Sequence, residues 1–462
     1  MDELTGARLR AALAKGFTGR TVLPGEPDYD DARRVWNGTV DRYPALVAYC
    51  TSTADVTVAV RAAQDAGVPL SVRGGGHQVA GLSVRDGGLT VDLSALHTVK
   101  LSADHSLVHA GGGCLLGHVD AGIAKSGRIV PAGVVSHTGL GGLALGGGFG
   151  WTFRNFGLTC DNIMGAEVVT ADGDVVYAGK GGDEELLWAL RGGGGNFGAV
   201  TRFELKTHEA GTVLFGQAVF GLDALPRAVE HYASTMADAP DALSAICITS
   251  LAPPMPGVPS DVVGKPVVVI NAVWSGPLEA GEAPMSRLLE QGDPVVGGFT
   301  PMPYVAVQTM QDDLHPHGRR NYTKSRYLDR IDGEAVKALS EAGATLPGPH
   351  AQIEILRMGG AAGRVDPDAT AFAQREAPYL LNVVGAWTEE ADTERNVGWV
   401  RTVYGSFDPV GSEAGYINFL DAEPDRVRSV YPERTFARLQ RIKRRLDPRS
   451  VFSGNVPIPP GP

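Results

Sequence analysis

Cysteine is scarce in this chain: Cys50, Cys114, Cys160 and Cys247 are scattered through 462 residues. Four thiols so spread make no disulfide framework. No C-x-x-C or H-E-x-x-H spacing occurs, so neither a thioredoxin motif nor a zinc site is indicated, and no metal is expected. Long apolar runs are missing too, and no stretch has the length to cross a bilayer. The first residues, Met1-Asp2-Glu3-Leu4, lack the basic-then-apolar order of a secretory signal, so the expected compartment is the cytoplasm. Basic charge is in deficit, with 41 Lys and Arg against 52 Asp and Glu. The net charge of −11 argues against a general nucleic-acid or anionic-membrane surface and leaves small-molecule partners open.

What the chain does have is glycine, 61 residues of it, and the glycines cluster. The first cluster is Ser71-Val72-Arg73-Gly74-Gly75-Gly76-His77, entered from the apolar run Ala66-Gly67-Val68-Pro69-Leu70. Consecutive glycines let a backbone turn tightly and approach a ligand without Cβ atoms in the way. Successive exposed N–H groups in such a loop form an anion-binding concavity. His77 stands at its mouth. Alone, the motif reads equally well as a tight turn with a bystander histidine. Two more clusters follow, from Gly139 to Gly150 and from Arg191 to Gly198, and three together suggest one long ligand threaded past several backbone loops.

Two stretches match the dinucleotide fingerprint formally: Gly193, Gly195 and Gly198, and Gly139, Gly141 and Ala144. That fingerprint requires strand, glycines, then helix. The first match runs from helix into strand. The second runs into three more glycines, which end a helix at once. A Rossmann reading is therefore rejected.

The R-G-G-G-H run ending at His77, the later glycine clusters and the Tyr416-x-Asn418 segment resemble the FAD-linked oxidases of the p-cresol methylhydroxylase / vanillyl-alcohol oxidase fold, in the berberine bridge enzyme-like branch. The resemblance runs from about Pro44 to Pro460. It implies FAD carried covalently on His77. Val72, Arg73, Gly74, Gly75, Gly76, Gly81 and Leu82 are then expected to contact the cofactor. So are Gly133, Val134, Thr138, Gly139, Gly142 and Gly148 from the second cluster, Gly198 and Val200 from the third, and Asn418 and Asn455 near the C-terminus. Many relatives attach the flavin a second time through a cysteine; here that position is Val135, in Ala132-Gly133-Val134-Val135-Ser136-His137-Thr138-Gly139. One covalent bond, through His77 only, is expected. Cys160 lies in a different motif and is expected to be a small buried hydrophobe. His137 reads as a cofactor or substrate contact or as a structural hydrogen-bonder.

Tyr416 and Asn418, two apart on an expected strand, would face the flavin together, with Tyr416 a candidate base. Tyr379-Leu380-Leu381-Asn382 aligns with a segment whose fourth residue is Glu or Gln beside the substrate. Asn382 cannot take a proton there but can hydrogen-bond substrate. Lys324 and Tyr327 read as a surface lysine and a core tyrosine, with a pocket role as the alternative.

The expected fold is α+β in two domains: an FAD-binding domain at 1–208, a substrate domain of antiparallel sheet backed by helices at 209–415, and a segment at 416–462 returning to the first. Strands are expected at Ala45–Cys50, Ala199–Lys206, Val213–Phe220, Ala245–Ser250, Pro266–Trp274, Gln352–Arg357 and Tyr379–Trp387. A hairpin is expected around Asp172-Gly173. A helix capped by Thr53-Ala54-Asp55 should run to Ala66, and Arg434–Leu446 should form a basic amphipathic helix packed on the surface. The function this implies is an oxidase that removes hydride from a C–H beside O or N of a small organic substrate and reduces O₂ to H₂O₂. The alternatives are a flavin-dependent dehydrogenase or oxidative cyclase of secondary metabolism and, more remotely, a non-catalytic flavin-binding protein. The substrate and the oligomeric state are not legible.

Overall fold

The computed structural model describes residues 3–254, 258–290, 292–420, 427–454 and 456–461. A four-stranded sheet is built from β1 (Arg20–Val22), β2 (Leu46–Tyr49), β3 (Leu70–Arg73) and β4 (Leu89–Asp92), in the order β1-β2-β4-β3. The β2–β4 and β3–β4 pairs are parallel. The helix Thr53–Ala66 crosses over between β2 and β3 and buries Val56, Ala59, Val60 and Ala63 against them. Its N-cap is Ser52, one residue earlier than expected, because the Ser52 hydroxyl is the one that accepts the Asp55 N–H, at 3.1 Å. Asp55 turns back to bond Thr18 and Thr51 instead.

A five-stranded sheet follows. It comprises β5 (Val99–Leu101) and β6 (Leu107–Gly111), then, after the two-residue β7 (Arg128–Ile129), β8 (Ile163–Val169), β9 (Val175–Gly179) and β10 (Ala199–Lys206), ordered β5-β6-β10-β8-β9. The β8–β9 hairpin turns at Gly173, whose φ of +76 is the left-handed conformation that glycine tolerates. A short ribbon pairs β7 with β11 (His208–Glu209).

The third sheet has seven antiparallel strands: β12 (Thr212–Gly221), β13 (Leu243–Leu251), β14 (Pro266–Trp274), β15 (Val296–Pro303), β16 (Arg320–Leu328), β17 (Gln352–Arg357) and β18 (Tyr379–Trp387). Their order is β15-β12-β14-β13-β17-β18-β16. The helices Leu225–Ala237, Gly333–Gly343 and Thr393–Ser406 cover one face and share its apolar core. Sequence reasoning missed β15 and β16, and both are edge strands. An edge tolerates the glycines and prolines of β15 and the polar residues of β16, so neither carries the apolar alternation of a central strand.

The helix Glu433–Leu446 docks on the helix Glu184–Leu190. Leu439 and Ile442 enter the core of the five-stranded sheet, and Arg445 pairs with Asp183 at 2.6 Å. Lys443 is fully buried; its ammonium bonds Asp447 Oδ2 and the carbonyls of Asn196 and Phe452 at 2.6–2.7 Å. The four cysteines are free and buried. Among the described residues, no helix is long and apolar enough to cross a membrane.

Candidate active site

A cavity of about 350 Å³ lies where the three glycine clusters meet one face of the seven-stranded sheet. That is the size of a small-molecule site. Gly74, Gly75 and Gly76 reach it directly after β3, Thr138, Gly139 and Gly142 come from the second cluster, and Gly194, Gly195 and Gly198 from the third. The first two loops touch backbone to backbone: a Cβ on Gly75 would stand 2.5 Å from the Gly139 nitrogen. Gly142 and Gly195 line the cavity, and a Cβ on either would meet no atom within 4 Å. Such a wall accommodates a long ligand and offers it backbone donors.

Of the residues expected from the sequence, Val72, Leu82, Gly133, Val134, Val200, Asn382, Tyr416 and Asn418 also line the cavity. Arg73, Gly81 and Gly148 do not. Arg73 is buried in an ion pair with Asp92, 2.5 Å long, that ties β3 to β4. Gly81 makes a turn at φ +63, where a Cβ would strike Val40. Gly148 lies behind Tyr416 and donates its N–H to that hydroxyl. Asn455 lies outside the described residues. Val135 lines the cavity, whereas Cys160 is buried in the core with its thiol held well up by burial.

His77 lies against Trp36, with ring centroids 4.2 Å apart and planes 15° from parallel. Burial and the imidazoles of His137, His315 and His317 hold its pKa well below the ordinary histidine value, so it is neutral. Its Nε2 is buried with no hydrogen-bond partner. A neutral imidazole with an unsatisfied nitrogen, at a glycine-lined cavity, fits a ligand bonded to that ring. His137 packs 5.0 Å from His77, and its Nδ1 also lacks a partner.

The opposite wall is polar. Asn321 and Thr323 on β16, Gln352 and Glu354 on β17, and Asn382 and Val384 on β18 face the cavity. Alternation sends the residues between them to the other side, which puts Lys324 over the Tyr404 ring. Tyr327 is buried in the core. Glu354, Asn382 and Ser325 are register partners across three strands. Sequence reasoning singled out Asn382 and missed Glu354. The signal was present, since Gln352 and Glu354 alternate with Ile353 and Ile355 and mark a polar face on a buried strand. Burial raises the Glu354 carboxyl above its ordinary range, opposed by the hydrogen bond from Asn382.

Tyr416 and Asn418 reach the cavity from a 3-10 turn, Ile417–Phe419, in place of the expected strand. The Phe419 N–H closes that turn on the Tyr416 carbonyl at 2.9 Å, and the Tyr416 N–H bonds Ser325 Oγ at 3.2 Å. The Tyr416 oxygen accepts the Gly148 N–H at 2.7 Å and Asn418 Nδ2–H at 2.8 Å. Burial nevertheless raises the phenol above its ordinary pKa. The two N–H donors on the oxygen act against that rise, and the phenol O–H itself is left to offer.

Known proteins that resemble the chain are FAD-linked oxidoreductases. A family model described as FAD binding domain matches residues 44–179, and one described as berberine and berberine like matches 415–459. The FAD-linked oxidoreductase YgaK of Bacillus subtilis is 30% identical over 96% of this chain and 97% of its own length. The (R)-6-hydroxynicotine oxidase of Paenarthrobacter nicotinovorans is 29% identical over 98% and 99%. Among solved structures, 6-hydroxy-D-nicotine oxidase from Arthrobacter nicotinovorans superposes with a TM-score of 0.87 at 26% identity, covering 96% of this chain and 98% of that one. The chain belongs to the berberine bridge enzyme-like family of FAD-linked oxidoreductases.

Proposed function

We propose that this enzyme is an oxidase that binds FAD along the three glycine loops, covalently through His77 alone. In this reading it oxidises a C–H beside O or N of a small organic substrate seated against the polar wall of the seven-stranded sheet. The observation that carries the reading is His77: neutral, stacked on Trp36, with an orphaned ring nitrogen, at a cavity whose other wall bears the chain's convergent polar groups. When bound, the flavin supplies the two-electron chemistry, taking hydride from the substrate carbon and passing the electrons to O₂. The protein's part is placement. Gly74, Gly75, Gly139, Gly142 and Gly195 let backbone come close to the cofactor. Tyr416 offers its O–H to the substrate heteroatom, held by Gly148 and Asn418. Asn382 orients the substrate by hydrogen bonding. Val135 in place of a cysteine leaves His77 as the single tether.

Acid precipitation of the purified protein, followed by mass analysis of the flavin-bearing peptide, tests the reading. Flavin on the His77 peptide alone is the expected result, with peroxide appearing on turnover. Flavin on a second peptide overturns the single tether. A colourless pellet under a yellow supernatant overturns the covalent bond. No flavin in either fraction overturns the whole reading.

A further inference from the structure

Four histidines gather at the His77 end of the cavity, and two of them carry unfilled nitrogens. His77 packs on Trp36 and, at 5.0 Å between ring centroids, on His137; His137 packs in turn on His317. His77 Nε2 and His137 Nδ1 are both buried without a hydrogen-bond partner. Two such nitrogens on neighbouring rings are costly unless a bound group engages them. The other nitrogen of His77 bonds the residue's own backbone, which favours the proton there and leaves a bare lone pair on Nε2. In His137 only Nδ1 is stranded, so the proton is better held on Nε2 and the lone pair on Nδ1. The segment 312–319 holds this arrangement from the far half of the chain. The Asp312 carboxylate accepts the Ser136 N–H at 2.8 Å and the Ser136 hydroxyl at 2.5 Å, next to His137. The His315 carbonyl accepts the Trp36 indole N–H at 2.8 Å, and the Trp36 carbonyl accepts the Gly318 N–H at 2.9 Å.

We propose that His137 is the proton acceptor that lets His77 bond to the flavin, and that Asp312 is its positioning residue, so the tether forms only once the segment 312–319 is in place against Trp36 and Ser136. This rests on the tethered-flavin reading above and supplies the step that reading leaves unassigned. His77 Nε2 uses its lone pair to form a bond to the flavin's 8α-methyl carbon. A C–H bond of that carbon breaks, the proton going to His137 Nδ1 and the electron pair to the flavin ring. Dioxygen, the oxidant in the same reading, takes the pair and leaves as H₂O₂ with two protons, one from the carbon and one from the His77 imidazole. The neighbouring groups suit this task less. Burial and the Arg319 guanidinium hold His315 down at about 4, and burial with the His137 imidazole lowers His317. His317 also stands farther from His77, at 6.4 Å against 5.0 Å for His137. Asp312 already accepts two hydrogen bonds from Ser136. His77 itself is kept neutral by burial and the surrounding imidazoles, as a nitrogen nucleophile must be.

The test uses the full-length protein made in a riboflavin-starved host and mixed with FAD in air. Native yellow colour reports binding, and flavin in the acid pellet, followed over time, reports attachment. Wild type is expected to move its flavin from supernatant to pellet. His137→Gln keeps a polar side chain that takes no proton; it should bind FAD while attachment slows by roughly 10²–10⁴-fold. His137→Ala should slow as much, and millimolar imidazole should speed it by about tenfold or more, a rescue that a merely structural histidine would not show. Asp312→Ala should slow attachment by about tenfold and still bind FAD. Attachment in His137→Gln within about threefold of wild type overturns the inference, and so does a His137→Ala protein that imidazole does not speed. If either variant fails to fold, the other decides. Folded variants that hold no FAD at all place His137 in binding and overturn its role in proton transfer. Unchanged attachment in Asp312→Ala overturns its positioning role. Wild type with flavin only in the supernatant overturns the tether itself; wild type with flavin in the pellet and an unaltered His137→Gln overturns only the role of His137.

Discussion

Gly74, Gly75, Gly139, Gly142 and Gly195 line one wall of the cavity with backbone; Asn321, Thr323, Gln352, Glu354 and Asn382 line the other with side chains. The first wall works by what it omits. Its loops close against each other at distances a single Cβ would break. The second works by register: its polar groups come from three strands and meet because Glu354, Asn382 and Ser325 pair across them. One wall therefore depends on local chain geometry. The other depends on long-range pairing.

The largest effect that would sharpen this contrast is expected at Gly75. A valine there would place Cβ 2.5 Å from the Gly139 backbone nitrogen, and neither loop has a flexible side chain to give way. Purified Gly75→Val is expected to carry no flavin, read as loss of the 450 nm region absorbance relative to protein. Retention of a full complement would break the contrast. On the sheet side, Asn382→Ala should leave flavin content intact and lower kcat/KM by about 10–100-fold, as a buried carboxylate loses a hydrogen bond worth ~1.5–3 kcal/mol. If flavin content falls instead, the two walls are not separable.

A stability effect is expected where the tail grips the glycine side. Lys443 and Asp447 form a fully buried pair, and the same ammonium holds the Asn196 carbonyl at the third cluster. Lys443→Ala leaves a buried carboxylate unpaired and should cost about 3–5 kcal/mol in chemical denaturation. The smallest effect lies where the two halves meet. Burial raises Asp120 to about 7, opposed only by Gln308 Nε2 at 3.3 Å. The folded protein thus holds a proton that the unfolded chain releases near 4. Stability from this group is fully present below pH 4, falls as pH rises, and is lost above about 7. Asp120→Asn should flatten that slope and raise Tm at pH 8 by a few degrees; an unchanged slope would mean that the carboxyl titrates normally in the fold.

The glycine wall was legible because each of its loops is a contiguous run of residues, and because His77 follows its glycines directly. The central strands were legible through their apolar alternation. What escaped has a physical reason in each case. β15 and β16 are edges, where pairing on one side alone relaxes the demand for apolar pattern. The turn at Ile417–Phe419 is set by a tertiary bond from Tyr416 to Ser325, 91 residues away in sequence. Glu354 acquires its meaning only opposite Asn382, and strand pairing is not written in either residue alone.

The four buried thiols carry a consequence for how long such an enzyme lasts. Under the proposed oxidase reaction, peroxide would form beside the protein, and peroxide attacks thiolates. Burial raises the pKa of Cys50, Cys114, Cys160 and Cys247 alike, so each stays a protonated, shielded thiol at working pH. Among the described residues, oxidative wear should therefore begin at the exposed thioethers of Met164 and Met310.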